Sequence, residues 1–131
     1  MLDTNVLVAG FGTSGMCQQV IEACLQFHEL FTSQVILSEL ERNLLAKFEL
    51  SDVTVVQILQ HVRQHAVMVE PAPVPAEACH DQSDLPILGT AVAAGADCLV
   101  TGDHDLLTLQ RFERTTILSP RQFHDLANPQ R

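Results

Sequence analysis

The fold is decided by one short stretch, residues 96–103, which reads Ala-Asp-Cys-Leu-Val-Thr-Gly-Asp. Within it, the run 98–101 is short, largely apolar and followed by a glycine, which is the pattern of a buried β-strand. An acid, Asp103, comes directly after this strand. Ligands of open α/β sheets gather beyond the carboxyl ends of the strands. The residues that follow each predicted strand are therefore the first candidates for a functional site.

Helix patterns and strand patterns alternate along the rest of the chain. Apolar residues recur at spacings of three, four and seven in 16–27, and Ser33 is suited to cap the helix that follows it. Pro86 and Pro120 fit the first turn of a helix, where a missing donor is tolerated. Helices are predicted for 16–27, 33–44, 51–62, from the turn containing Pro86 to about Ala94, and from Ser119 onward; strands are predicted for 30–32, 66–69, 98–101 and 116–118.

Strands separated by helices predict a parallel sheet that is covered by helices on both faces. The one shift in composition is 71–84, where Pro71, Pro73 and Pro75 follow one another at alternate positions. Because proline lacks a backbone donor, this segment is predicted to be a loop between elements and not a linker between domains. We therefore expect a single α/β domain over residues 1–131.

Composition limits the class of protein. Apolar residues make up 47% of the chain and charged residues 18%, which is enough for a folded core. No apolar run has membrane-spanning length and no secretory leader is visible, so we expect a soluble, cytoplasmic protein. The net charge of −9 argues against binding nucleic acid by phosphate neutralisation alone. The four cysteines form no C-x-x-C pair, which disfavours a zinc site at Cys79, His80 and Cys98.

Four acids stand at the ends of predicted strands or on the helices that follow. Asp3 and Asp103 follow apolar runs, Asp84 begins a helix, and Glu39 lies within one. Taken singly, each is also explained as a helix cap or as part of a solvated helix face. Together they would repel one another unless a cation were present. Hard divalent cations prefer oxygen ligands, so the four acids predict a metal site that activates water and neutralises charge on a phosphate.

The same acids lie in four short motifs, which are Asp3-Thr4-Asn5-Val6, Leu37-Ser38-Glu39-Leu40, Asp84-Leu85-Pro86-Ile87 and Thr101-Gly102-Asp103. In this order the motifs resemble the PIN domain over nearly the whole chain, from Leu2 to about Leu126. The resemblance is greatest to the toxin components of bacterial and archaeal toxin–antitoxin operons (VapC-like). It implies a three-layer α/β/α sandwich with a parallel sheet of about five strands. It also implies a ribonuclease that needs Mg²⁺ or Mn²⁺ and hydrolyses RNA phosphodiester bonds.

The resemblance assigns the catalytic and metal-binding roles to one acidic quartet, Asp3, Glu39, Asp84 and Asp103. Asn5 and Thr101 match polar positions that orient these carboxylates by hydrogen bonding. Asp105 and Asp81 are further acids near the same site. The implied partners are an RNA substrate, a cognate antitoxin and a second copy of the chain in a homodimer.

Two expectations follow from the charge and from the start of the sequence. We expect RNA to be held locally, through the metal and arginines such as Arg42, Arg63 or Arg111, and weakly once the metal is removed. Only Met1 and Leu2 precede Asp3, whereas the family usually has a longer apolar strand there. Either this strand is short or the coding start lies upstream, in which case adding the upstream residues should raise the melting temperature.

Other interpretations start from other features. Residues 10–15 read Gly-Phe-Gly-Thr-Ser-Gly and match the dinucleotide fingerprint G-x-G-x-x-G, which requires that the preceding run 6–9 be a strand. The acid expected after the strand 30–32 is absent. A phospho-acceptor receiver domain would need a lysine at a late strand, and the only lysine is Lys47. A non-catalytic PIN-like module that binds RNA or protein would be expected to lack some of the four acids.

Three histidines complete the candidates. His61 and His65 are four apart on a predicted helix, which is metal-ligand spacing, but a solvated helix face is the favoured explanation. His104 lies between two site acids and could contact a leaving oxygen.

Overall fold

A computed structural model describes residues 1–13 and 15–127 of the chain. The described residues form seven α-helices, two single-turn 3₁₀ helices and five short strands. In chain order the elements are α1 (Thr4–Gly12), α2 (Met16–Phe27), β1 (Leu30–Thr32), α3 (Gln34–Lys47), α4 (Asp52–His65), β2 (Ala66–Met68), the 3₁₀ turns Ala76–Ala78 and Gln82–Asp84, α5 (Leu85–Ala94), β3 (Cys98–Val100), α6 (His104–Leu107), β4 (Arg111–Phe112), β5 (Thr115–Leu118) and α7 (Pro120–Ala127). The predicted helices and strands are all present, and the α/β class is confirmed.

The strands form two small sheets. β1 pairs with β2 in parallel, and β3 pairs in parallel with β5. β4 lies antiparallel on the other edge of β5. Leu2 adds one isolated parallel bridge to Val100. One parallel sheet of about five strands is therefore not confirmed. The antiparallel edge has a clear cause, because only Glu113 and Arg114 connect β4 to β5, and so short a connection permits only a hairpin.

The first helix, α1, corrects the expectation of a strand at 6–9. The Asp3 side chain caps this helix by accepting a hydrogen bond from the Thr4 amide, and the helix is apolar on most sides and largely buried. Gly10 lies in α1, where a Cβ atom would collide with the Ile21 side chain on α2. The glycines therefore lie at the end of a helix, not between a strand and a helix as the dinucleotide fingerprint requires. Ser14, within that motif, lies outside the described residues.

The hydrophobic core includes the strand at 98–100 that the sequence predicted to be buried. Leu99 and Val100 of β3 are fully buried and belong to the same core cluster as apolar side chains of α1, α3 and α5. The buried leucines and isoleucine of this core include Leu2, Leu7, Ile36, Leu37, Leu40, Leu44, Leu88 and Leu106. Among the described helices, none has both the length and the apolar character that a membrane crossing requires. The core thus fixes the carboxyl end of β3, where Thr101 and Asp103 follow.

Candidate active site

Asp3 is held at the edge of the β3 sheet by main-chain pairing. Its amide donates to the Val100 carbonyl at 2.9 Å, and the Asp3 residue is only 4% exposed. The carboxylate accepts two hydrogen bonds at 2.7 Å, from the Thr4 amide to Oδ1 and from the Thr101 hydroxyl to Oδ2. Burial raises the pKa of Asp3, and these two hydrogen bonds oppose that rise by stabilising the anion. Asp3 is therefore a buried carboxyl that is fixed in orientation.

Thr101 links Asp3 to Asp103. Its hydroxyl is fully buried, donates to Asp3 Oδ2 and accepts from the Asp103 amide at 3.0 Å. Asp103 in turn caps α6, because its Oδ1 accepts from the Asp105 amide at 2.9 Å. Thr101 lies where the resemblance required a residue that orients the carboxylates. It holds two of the four acids in one hydrogen-bond chain.

Asp84 completes the group from the other side. It lies at the start of α5, is 8% exposed, and its Oδ2 atom is buried without a hydrogen-bond donor. Its carboxyl lies within hydrogen-bonding reach of that of Asp103. The pKa of Asp84 is raised to about 7. Burial is the largest cause, followed by the hydrogen bond shared with Asp103 and by the negative charges of Asp103 and Asp3. A buried carboxylate oxygen without a donor is expensive, and a cation would satisfy it.

Glu39 is the fourth acid of the quartet. It lies on α3, is half-buried, and its Oε1 accepts from the Thr4 hydroxyl at 3.0 Å. The Arg42 guanidinium is 3.9 Å from its Oε2 atom. The negative charge of Glu39 contributes to the raised pKa of Asp3, so the two carboxyls are close enough to interact. Sequence reasoning missed the role of Thr4, because the helix that Thr4 begins was not expected from the sequence.

Three further candidates lie at the margin of the acids. Asn5 is exposed on α1, and its side chain makes no hydrogen bond to the quartet within the described residues. Asp81 is exposed and caps the 3₁₀ turn Gln82–Asp84 through hydrogen bonds from Ser83, which lower the pKa of Asp81. Asp105 is half-buried and contacts Asp103 through its main-chain amide. The helix-cap explanation therefore accounts for Asp81.

The histidines and cysteines considered as metal ligands do not form a metal site among the described residues. His61 and His65 are exposed on α4 with ring centroids 4.5 Å apart, and His104 is exposed at the start of α6 beside Asp103. All four cysteines are free. In the part of the chain that the structure describes, no three side chains from His, Cys, Asp and Glu are arranged to hold a metal ion. Cys79, His80 and Cys98, where the sequence disfavoured a zinc site, are therefore not grouped to hold a metal ion in the described chain.

The same finding limits what the acidic quartet can do. It is not a preformed cage of three or more direct ligands. Mg²⁺ typically binds one or two carboxylates and keeps several waters, so it needs few ligands from the protein. A cluster of buried carboxyls with one unpartnered oxygen fits that mode of binding and no soft metal.

The fold and this cluster define a class, that of α/β proteins with an acidic site beyond the carboxyl ends of parallel strands. A PIN domain family model matches residues 1–105 of the chain. The protein belongs to the PIN domain family, whose members are generally nucleases. No curated protein is similar enough to the chain to count as a match.

Proposed function

We propose that this PIN domain is an endoribonuclease that hydrolyses RNA phosphodiester bonds with Mg²⁺ or Mn²⁺. The observation that carries the proposal is the buried Oδ2 atom of Asp84, which has no donor and lies beside Asp103 and Asp3. Three carboxyl groups this close together raise one another's pKa, so all three are charged at once only when a positive charge lies beside them. A divalent cation supplies that charge and, when bound, lowers the pKa of water and neutralises charge on a phosphate.

The four acids are proposed to have different roles in the reaction. Asp84 and Asp103 are the acids that would hold the cation directly, because their carboxyl groups interact and the Oδ2 atom of Asp84 lacks a partner among the described residues, and Asp3 adds its negative charge beside them. Glu39 faces solvent and is steadied by Thr4, so it can accept a hydrogen bond from the attacking water and orient it. Hydrolysis forms a bond from the water oxygen to phosphorus while the bond to one ester oxygen breaks. His104 is exposed beside Asp103 and is the residue proposed to supply a proton to that leaving oxygen.

The arginines expected to hold RNA differ in their positions. Arg42 is exposed and next to Glu39, so it can bind the phosphate adjacent to the one that is cleaved. Arg63 donates to the Gln34 side chain at the start of α3, at 2.6 Å, and lies on the same side of the molecule as that helix. Arg111 is exposed in the β4–β5 hairpin, where its Nε donates to the Glu113 carbonyl, and it stays a further candidate for RNA contact. With a net charge of −9, RNA binding should depend on the cation and on Arg42 and Arg63.

The biological role proposed is that of the toxin in a toxin–antitoxin pair, active in the cytoplasm as a homodimer and restrained by an antitoxin that covers the acids. The order of the four motifs supports it. A neighbouring small gene for a DNA-binding protein would support it further.

A second candidate is a PIN-like module that binds RNA or protein without cleaving it. It is favoured by the lack of a preformed three-ligand metal site among the described residues. The presence of all four acids favours catalysis instead.

The test is cleavage of structured and unstructured RNAs in Mg²⁺, in Mn²⁺ and in EDTA. We expect the wild type to cleave with either cation and to stop in EDTA, and Asp3→Asn and Asp103→Asn to lose about 100-fold or more in rate. Asp97→Asn is the matched control, since Asp97 is exposed and paired with Arg114 at the other end of β3. RNA binding without cleavage would establish the second candidate, and cleavage that survives EDTA would exclude the first.

A further inference from the structure

Two hydroxyl groups meet in the protein interior where α3 and α5 pack together. The oxygens of Ser33 and Thr90 lie 2.9 Å apart, and both residues are 0% exposed. Ser33 precedes the first residue of α3, and its side chain does not cap that helix. Its hydroxyl, at the position of a helix cap, serves instead to join two helices.

The proton count shows that this contact is a linked pair of hydrogen bonds. Thr90 also donates to the Pro86 carbonyl, 2.8 Å away, one turn earlier in α5. Because a threonine hydroxyl has a single proton, Ser33 supplies the proton that bridges the two oxygens. Each hydroxyl is thereby satisfied, and removing either one leaves the other buried without its partner.

Ser33 and Thr90 are each separated by six positions from an acid of the quartet. Glu39 comes six positions after Ser33, and Thr90 comes six positions after Asp84. Six positions along a helix correspond to about 9 Å. Glu39 lies on α3 and Asp84 at the start of α5, so a shift of one helix against the other would move these two acids relative to each other.

We propose that Ser33 and Thr90 are positioning residues that hold α5 against α3, thereby fix the place of the proposed cation ligand Asp84 at the start of α5, and so set the affinity of the site for a divalent cation. This role rests on the proposed function. Packing is close to crystalline density, so a shift of one helix against the other moves the carboxyls with it. Neither hydroxyl touches the acids, and neither is a catalytic residue.

The chain provides a matched control beside the pair. Thr32 is 1% exposed, directly precedes Ser33, and its hydroxyl has no hydrogen-bond partner. Replacing Thr32 by valine therefore removes a buried hydroxyl of the same kind without breaking a hydrogen bond. Thr90→Val makes the same chemical change and breaks two.

The experiment is calorimetric titration of Mn²⁺ into the wild type, Thr90→Val, Ser33→Ala, the double variant, Thr90→Ser and Thr32→Val, with unfolding of each followed in EDTA. Changes in residues that orient metal ligands cost about 10–100-fold in affinity, and this pair acts one contact further away. We expect Thr90→Val and Ser33→Ala each to weaken Mn²⁺ binding by about three- to tenfold. The double variant should be no weaker than either single one, because all three lose the same bond. Thr90→Ser and Thr32→Val should bind as the wild type does.

Two failures can be told apart. If the wild type binds Mn²⁺ and Thr90→Val and Ser33→Ala bind it equally well, the positioning role is wrong and the proposed function stands. If the wild type binds no Mn²⁺, the proposed metal site fails and the role fails with it. If Thr90→Val does not fold, Ser33→Ala decides the matter from the α3 side of the same bond.

Discussion

The two ends of strand β3 carry acids of opposite character. At the amino end, Asp97 is 91% exposed on its side chain and pairs with Arg114 at 3.0 Å. A cavity of about 340 Å³ opens there, lined by residues that include Glu29, Asp97 and Arg114. At the carboxyl end, Asp103 lies beside Asp84 and Asp3, which are buried acids with no basic partner among their described contacts. The two ends are only a few residues apart along one strand.

This difference shows what identifies the site. The cavity at the amino end offers room, but its acid Asp97 is exposed and already paired with Arg114, and an exposed ion pair contributes little. The carboxyl end holds like charges out of water, which costs free energy unless a ligand compensates. The proposed site therefore rests on unbalanced buried charge and not on the presence of a cavity.

The largest effect on the acids at the carboxyl end of β3 is expected from Thr101→Val. The change removes the donor to Asp3 Oδ2 and the acceptor for the Asp103 amide while keeping the shape of the side chain. We expect the rate of RNA cleavage at saturating Mn²⁺ to fall by about 10–100-fold. Thr101→Ser keeps the hydroxyl and should retain most of the activity. Equal rates for Thr101→Val and the wild type would show that this hydrogen-bond chain does not orient the acids.

A smaller effect is expected on stability without metal. The pKa of Asp84 is raised to about 7 from its ordinary value of 3.8, so between these values the folded state holds a proton that the unfolded state has lost. The free energy of unfolding therefore falls as pH rises through this window, and the full penalty applies above pH 7. In EDTA above that pH, Asp84→Asn should raise the melting temperature by about 4–8 °C, which corresponds to about 1–2 kcal/mol.

The amino end of β3 provides the control for this measurement. Asp97→Asn should shift the melting temperature by less than about 2 °C at the same pH, because Asp97 and Arg114 are an exposed pair. At pH values below the ordinary pKa of aspartate, Asp84→Asn should lose its advantage, since both states are then protonated. Destabilisation by Asp84→Asn above pH 7 would mean that the cluster is not strained in the absence of metal.

The features that could be predicted from the sequence are those that depend on a short local pattern of residues. The buried strand at β3 and the acid that follows it are visible as an apolar run ending in Thr101-Gly102-Asp103. The nature of α1 was not visible, because residues 6–9 are as apolar as a strand and the helix is decided by the Asp3 cap and by burial on most sides. The division into two sheets depends on contacts between distant elements.

The candidate site divides in the same way. The four acids and Thr101 could be chosen from motif order, whereas Asn5 points to solvent and makes no contact with the acids in the described chain. The Ser33–Thr90 bond joins residues 57 positions apart, and no periodicity along the chain indicates such a pair. Tertiary hydrogen bonds of this kind are found only in the folded structure.

The central claim is that the acids at the carboxyl end of β3 form a divalent-cation site. The most direct test is the change in melting temperature when saturating Mg²⁺ or Mn²⁺ is added to the wild type, Asp84→Asn and Asp97→Asn. A cation that binds only the folded state at 100 times its Kd adds about 2.7 kcal/mol. We predict a clear rise for the wild type and Asp97→Asn, and almost none for Asp84→Asn. No rise in the wild type, or an equal rise in Asp84→Asn, would contradict the claim.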